Sequence, residues 1–261
     1  MPITPNHTLQ KLRAGHPAIG FGVHHLRGPA AGALAAACGF DWLFVDMEHG
    51  AMSVDDASAI CLAAHGQGVT PIVRCCQHAL HEATRCLDNG AMGVVVPHVD
   101  SAAEAAAMVR AFRFPPAGMR SWGGPPVQYG YRPPDVAAAQ AETNAHVLLC
   151  AMIETPEALA AVEDIAAVPG LDALMIGTSD LTATMGLAGQ IGHPDVQAAY
   201  ARVAAACAAN GIALGMGGVY DEVWAPAYRR LGARFILGGS DHSFLMAGAG
   251  ARARFLAGLE P

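Results

Sequence analysis

Eight times along the chain a short, β-branched apolar run gives way to an alanine-rich stretch with helical punctuation. Strands alternating with helical stretches specify βαβ units and a parallel sheet, because a parallel pair needs a crossover long enough to hold a helix. The runs Ala18–Val23, Asp41–Asp46, Thr70–Arg74, Met92–Val96, Val147–Met152, Leu171–Ile176, Ile212–Leu214 and Phe235–Leu237 read as strands. Helices are expected at about 29–39, 53–66, 79–89, 101–112, 156–167, 194–210, 221–232 and 241–257. Ser53 and Ser101 stand where N-caps belong, and Thr155 precedes a proline at the first helical position. Glycine follows the expected helix ends at Gly39, Gly66, Gly90, Gly211 and Gly232, where a left-handed residue closes a helix. Eight such units in 261 residues fit the roughly 250 of one TIM, or (β/α)8, barrel, so a single domain is expected over 1–261.

One segment interrupts the rhythm. Residues 114–146 are rich in Pro, Gly and aromatics, and a connection longer than about 15 residues is usually functional or disordered. It reads as a lid or a subunit contact, with an ordered but inert excursion as the alternative.

Composition excludes several functions. No apolar run approaches the roughly 18–20 residues of a membrane-spanning helix, and the N-terminal stretch has no signal-peptide pattern, so cytoplasmic residence is expected. A net charge of −7 argues against a nucleic-acid partner. Seven cysteines without a C-x-x-C spacing read as small core residues. Of fifteen basic residues one alone is lysine, Lys11, and it lies before the first strand. Imine catalysis needs a lysine amine in the pocket, and a barrel reacts at the opposite end of its strands. Schiff-base chemistry is therefore set aside.

Polar residues at the C-terminal ends of strands are the catalytic candidates. Strand two ends Asp46-Met47-Glu48-His49, strand three at Arg74, strand five runs into Glu154, and strand six into Ser179 and Asp180. Glu154 and Asp180 are candidate ligands for a hard divalent cation, because carboxylates on adjacent strand ends converge over one pocket. Each alone also fits a helix start, where an acid is favoured by the dipole. His49 is a candidate base. Asp88 opposes the macrodipole at a helix C-terminus, which invites a tertiary partner, and a histidine held by a carboxylate is a general-base arrangement. Arg74 is either a rim ion pair or a grip on a substrate carboxylate or enolate oxygen. His24, His25 and His98 face the same end. The glycines Gly215-Met216-Gly217-Gly218 and Gly238-Gly239-Ser240 follow strands seven and eight, where many barrels bind phosphate, but Asp241 beside them would repel it.

At these residues the sequence resembles the HpcH/HpaI aldolase family of metal-dependent pyruvate aldolases. The resemblance is carried by Gly39-Phe40-Asp41-Trp42, Asp46-Met47-Glu48-His49-Gly50, Ile72-Val73-Arg74, Leu87-Asp88-Asn89-Gly90-Ala91, Phe114-Pro115-Pro116-Ala117-Gly118-Met119-Arg120-Ser121, Met152-Ile153-Glu154-Thr155 and Ile176-Gly177-Thr178-Ser179-Asp180-Leu181. It implies that Glu154 and Asp180 bind the divalent ion (Mg2+, Mn2+ or Co2+), that His49 and Asp88 form an acid/base dyad, and that Arg74 contacts the pyruvyl unit. It also implies substrate contacts from the backbone at Ser179 and Asp180, and a homohexamer, a trimer of dimers that exchange the last helix. The chain departs from the family in having Met152 where better-known members carry Gln, which removes a polar group beside the ion. The expected reaction is cleavage or formation of a 4-hydroxy-2-oxo acid from a 2-oxo acid and an aldehyde, through an enolate stabilised by the ion. Two rivals stay open: decarboxylation of an oxaloacetate-type 2-oxo acid on the same site, and a phosphate-binding barrel without lyase activity.

Overall fold

The computed structural model describes residues 2–259; the single domain expected over 1–261 includes Met1, Glu260 and Pro261, which lie outside them. Eight parallel strands close into one barrel in sequence order. They are β1 (Ala18–Val23), β2 (Trp42–Asp46), β3 (Thr70–Arg74), β4 (Gly93–Val96), β5 (Leu148–Ile153), β6 (Ala173–Gly177), β7 (Ala213–Gly217) and β8 (Ala233–Ser240). Helices clothe the outside: α1 (His7–Arg13), α2 (Ala30–Ala37), α3 (Val54–His65), α4 (Leu80–Asp88), α5 (Ala102–Phe112), α6 (Val136–His146), α7 (Pro156–Ala160), α8 (Val162–Ala166), α9 (Thr178–Thr184), α10 (Pro194–Ala209), α11 (Trp224–Arg230) and α12 (Asp241–Ala257).

Both faces of most strands are buried, which is why they read as continuous apolar runs rather than alternating ones. One core lies between barrel and helices, and a second fills the barrel itself. In the second, the buried Trp42 ring stacks on Phe235 with centroids 4.2 Å apart. Only glycine at position 20 leaves room for that ring, since a Cβ there would lie 2.3 Å from it. Leu9 and Leu12 of α1 join this core and close the N-terminal end. The plug is pinned by Asn6, whose Oδ1 caps α1 through the Leu9 N–H and whose amide donates to Met92 and His146 carbonyls. Lys11 lies on this plug, paired with Asp41, at the end of the barrel remote from the strand C-termini.

The start signals act as expected. Ser53 forms a capping box with Asp56, Ser101 accepts from the Glu104 N–H, and Thr155 from that of Ala158. Gly66 differs: it is right-handed (φ −73°) because the turn continues, and Gly68 takes the left-handed conformation (φ +71°). α1 and α9 were not expected, being too short to show a period, and the expected helix over 156–167 is two short helices meeting at Ala161. Residues 114–146 are not irregular throughout, for α6 occupies the last eleven, capped by Asp135. The glycines after Leu214 and Leu237 are not loops: β7 runs to Gly217 and β8 to Ser240. Apolar runs stop at the last large side chain, whereas the backbone ladder continues through glycine to the pairs Gly177↔Gly217 and Gly22↔Ser240.

Candidate active site

At the C-terminal end of the strands lies a cavity of about 430 Å3, a size suited to small molecules. Its floor is apolar, made by Phe44, Met152, Met175 and Leu237 from inside the barrel. His49, Arg74, Glu154, Ser179 and Asp180 all line it, so the chain brings these expected site residues together.

One side is organised by Asp46, a fully buried acid that the strand-end series contains but that was not singled out. In the parallel register Asp46 pairs with Arg74, so the two side chains leave neighbouring strands in the same direction. The Asp46 carboxylate accepts from Arg74 Nε at 3.0 Å and Nη2 at 2.6 Å, a bidentate geometry. It also accepts the backbone N–H groups of Glu48 and His49, at 3.0 and 3.2 Å, which fixes the turn that carries His49. Glu48 meets Arg74 Nη1 at 3.2 Å and His24 Nδ1 lies 3.3 Å from Asp46. Burial raises the Asp46 carboxyl, but the Arg74 hydrogen bond and charge outweigh it and hold the group below its ordinary range. The available signal was an acid ending a wholly buried strand.

The other side carries Glu154 and Asp180. Glu154 leaves the end of β5 and is 1% exposed; Asp180 lies in the first turn of α9. The Thr184 hydroxyl lies 2.9 Å from the Glu154 carbonyl and 2.9 Å from that of Asp180, tying the two segments together. Gly177 gives the Glu154 carboxylate its space, since a Cβ there would stand 2.2 Å from Oε1. The His98 N–H donates to Glu154 Oε2 at 2.9 Å from a left-handed backbone (φ +49°), and its ring lies 3.5 Å from the same oxygen. Burial pushes the Glu154 carboxyl up to about 7, against the His98 N–H and ring, and the Asp180 charge adds to the rise. Unlike Asp46, this acid has no guanidinium hydrogen-bonded to it.

Among the described residues no group of three or more His, Cys, Asp or Glu side chains forms a metal cage. Two hard carboxylates with no guanidinium hydrogen-bonded to either still fit a divalent cation of the Mg2+ kind. Such an ion is commonly held by one or two protein carboxylates and completed by substrate and water. Oxygen donors without thiolate disfavour a soft metal.

Asp88 stands elsewhere. It does find the tertiary partner its position demands, but that partner is Arg120 Nη2 at 2.6 Å, and the pair lines a separate small pocket with Phe114 and Trp122. Within one chain His49 and Asp88 are not brought together. The place offered to phosphate after β8 is filled by the protein's own acid. Asp241 Oδ2 accepts the successive N–H groups of His24, His25 and Leu26 at 3.0, 2.7 and 2.7 Å, and Oδ1 that of His242 at 2.7 Å. Burial raises this carboxyl, but the four N–H groups outweigh it and hold the group below its ordinary range. His24 lines the cavity, as does His242, which the sequence reading missed; Met152 lies in the apolar floor.

The sequence matches the HpcH/HpaI aldolase/citrate lyase family over residues 26–247. It is 37% identical over 244 residues to a 4-hydroxy-4-methyl-2-oxoglutarate aldolase of Chaetomium globosum, covering 92% of this chain and 91% of that protein. It is 37% identical over 246 residues to a hydroxypyruvate/pyruvate aldolase of Pseudomonas aeruginosa, covering 94% and 91% respectively. Among solved structures, an HpcH/HpaI aldolase from Desulfitobacterium hafniense DCB-2 aligns with a TM-score of 0.90 over 96% of each chain, at 29% identity. Among the described residues no helix is long and apolar enough to cross a membrane.

Proposed function

The chain belongs to the HpcH/HpaI aldolase/citrate lyase family and is a lyase of the aldolase kind, and on that premise we propose that it cleaves and forms 4-hydroxy-2-oxo acids with a divalent cation held by Glu154 and Asp180. The observation that carries this reading is that two carboxylates, Glu154 and Asp180, line one side of the same cavity with no guanidinium hydrogen-bonded to either. The names of relatives supply the substrate class: a 2-oxo acid donor such as pyruvate or hydroxypyruvate, with a carbonyl acceptor.

When bound, a cation such as Mg2+, Mn2+ or Co2+ supplies Lewis acidity toward the developing enolate charge, worth several kcal/mol. The protein's own groups do the rest. Arg74 is held rigid by Asp46 and Glu48 at the cavity wall, where its charge stabilises an oxygen of the donor by roughly 1.5–3 kcal/mol. Backbone N–H groups at Ser179 and Asp180, in the first turn of α9, would receive the donor carboxylate. In cleavage His49 takes the proton from the C4 hydroxyl oxygen and the C3–C4 bond breaks. Its electron pair passes into the enolate, the aldehyde leaves, and protonation at C3 gives the 2-oxo acid. Within one chain Asp88 pairs with Arg120, so its place in the acid/base dyad with His49 belongs to the proposed assembly. The apolar floor at Met152 and Met175 excludes water from the enolate.

Cytoplasmic residence and a homohexamer belong to the same proposal. For assembly, the support is α12, in which Asp241 alone is buried while Phe244, Leu245, Met246, Phe255 and Leu256 are exposed. Light scattering showing a monomer would remove that part. The test of the chemistry is exhaustive chelation: cleavage should vanish and return on adding Mg2+, Mn2+ or Co2+. Full turnover in cation-free buffer would refute it.

A further inference from the structure

We propose that the half of the cavity facing the acceptor selects a short, uncharged hydroxyaldehyde and disfavours carbonyl compounds that carry a carboxylate, with His242 as the residue that sets the preference. This rests on the aldolase reading above and names the class of its second substrate.

With the donor seated at Glu154, Asp180 and Arg74, the wall left for the acceptor is His24, Tyr220, Ser240, His242 and Ser243. All of these can form hydrogen bonds, and none carries a permanent positive charge. Among the described residues Arg74 is the one lysine or arginine that lines the cavity, and its charge is already met by two carboxylates, Asp46 and Glu48. The formal charges beneath the wall are negative. Asp46, 3.3 Å from His24 Nδ1, and Glu48 together exceed the single charge of Arg74 by one, and Asp241 Oδ1 lies 3.4 Å from His242 Nδ1. The positive end of α12 offers an anion nothing further, because the first acid of that helix already accepts four backbone N–H groups there.

A carboxylate brought to this wall would lose water, gain no lysine or arginine partner and approach a net negative charge. A neutral hydroxyaldehyde meets a different surface. The His242 ring is half-exposed, stands 5.2 Å from the rings of both His24 and His25, and has Ser240 Oγ 3.2 Å from Nδ1. Imidazole and hydroxyl groups of this kind can donate to or accept from a sugar-like hydroxyl in either sense. In the synthetic direction C3 of the enolised donor attacks the aldehyde carbon. The enol electron pair becomes the new carbon–carbon bond, and the aldehyde oxygen takes the proton carried by His49.

The test compares kcat/KM for pyruvate addition to glycolaldehyde and glyceraldehyde with that for glyoxylate and succinic semialdehyde, using the cation-loaded enzyme. The neutral acceptors should lead by at least about tenfold, the factor expected of one uncompensated charge contact. His242→Arg should move the ratio about tenfold or more toward the carboxylate acceptors, through KM rather than kcat. His242→Ala should raise KM for the hydroxyaldehydes. A wild-type preference for carboxylate acceptors would overturn the proposal, and so would a His242→Arg variant that slows both classes equally, as a purely structural role predicts. Cation-dependent exchange of the pyruvate methyl protons with D2O, which needs no acceptor, tests the underlying reading separately. If the wild-type enzyme shows no exchange, that reading fails and this proposal falls with it.

Discussion

On one side of the cavity Asp46 meets the Arg74 guanidinium through hydrogen bonds of 3.0 and 2.6 Å; on the other, Glu154 has a backbone N–H and a partly exposed imidazole, with Asp180 adding a second negative charge. Both acids are buried; Asp46 ends β2 and Glu154 follows the last residue of β5 in the same barrel. Asp46 is held below its ordinary range and Glu154 above its own. With both acids buried, the opposite outcomes follow from the Arg74 hydrogen bonds on one side, and on the other from their absence together with the Asp180 charge. The first side therefore holds the cavity wall in place, and the second is the side to which the proposed cation is assigned.

The largest effect should come from the side of Glu154 and Asp180. Combining Glu154→Gln with Asp180→Asn should lower cleavage in saturating Mg2+ by roughly a thousandfold or more, since several kcal/mol of enolate stabilisation are removed. The melting temperature of the cation-free protein should hold or rise, because a buried amide costs less than a buried carboxylate without a counter-charge. A variant that keeps cation-stimulated turnover would break the comparison.

The compensated side should respond in the reverse manner. Asp46→Ala leaves a buried guanidinium without its bidentate partner and strips the Glu48 and His49 N–H groups of their acceptor. A loss of about 3 kcal/mol in urea denaturation is expected, as for other broken buried pairs. Combining Asp46→Asn with Arg74→Met should recover much of it, since both charges then leave together. If Asp46→Ala and Glu154→Gln cost the same stability, the two sides are not different in kind.

How far each side was legible from the sequence follows the same division. The barrel was legible because its strands are buried on both faces and its helices carry local caps, signals that need only neighbouring residues. The strand-end rule placed Glu154, Asp180, Arg74 and His49 around one cavity, because the fold itself converges strand ends. What the rule could not supply was pairing. The Asp46–Arg74 contact depends on strand register, Asp241 reaches back to N–H groups more than two hundred residues earlier, and Asp88 turned to Arg120 on the 114–146 connection rather than to His49. Charge complementarity between distant segments leaves no periodic trace, and a buried glutamate without a counter-ion reads like any helix-start acid until its surroundings are known.

The smallest expected effect sharpens the contrast most, because its sign differs between the two sides. Burial pushes the Glu154 carboxyl from an ordinary 4.5 up to about 7, so a cation entering near neutral pH displaces a proton. Apparent affinity for Mg2+ should weaken by about tenfold per unit as pH falls below 7 and level off above it. Titration calorimetry in two buffers of different ionisation enthalpy should find close to one proton released per ion at pH ~6 and none at pH ~9. The stability of the cation-free protein follows from the same shift. The folded state holds this proton more tightly than the unfolded chain, so stability falls as pH rises from 4.5 toward 7, and saturating Mg2+ should remove that fall. Asp46 acts in the opposite sense, since its carboxyl lies below the ordinary 3.8 and its contribution is lost only on acidification through and beneath that value. A Mg2+ affinity independent of pH between 6 and 8 would mean that Glu154 is already ionised without the ion, and the distinction between the two sides would be lost.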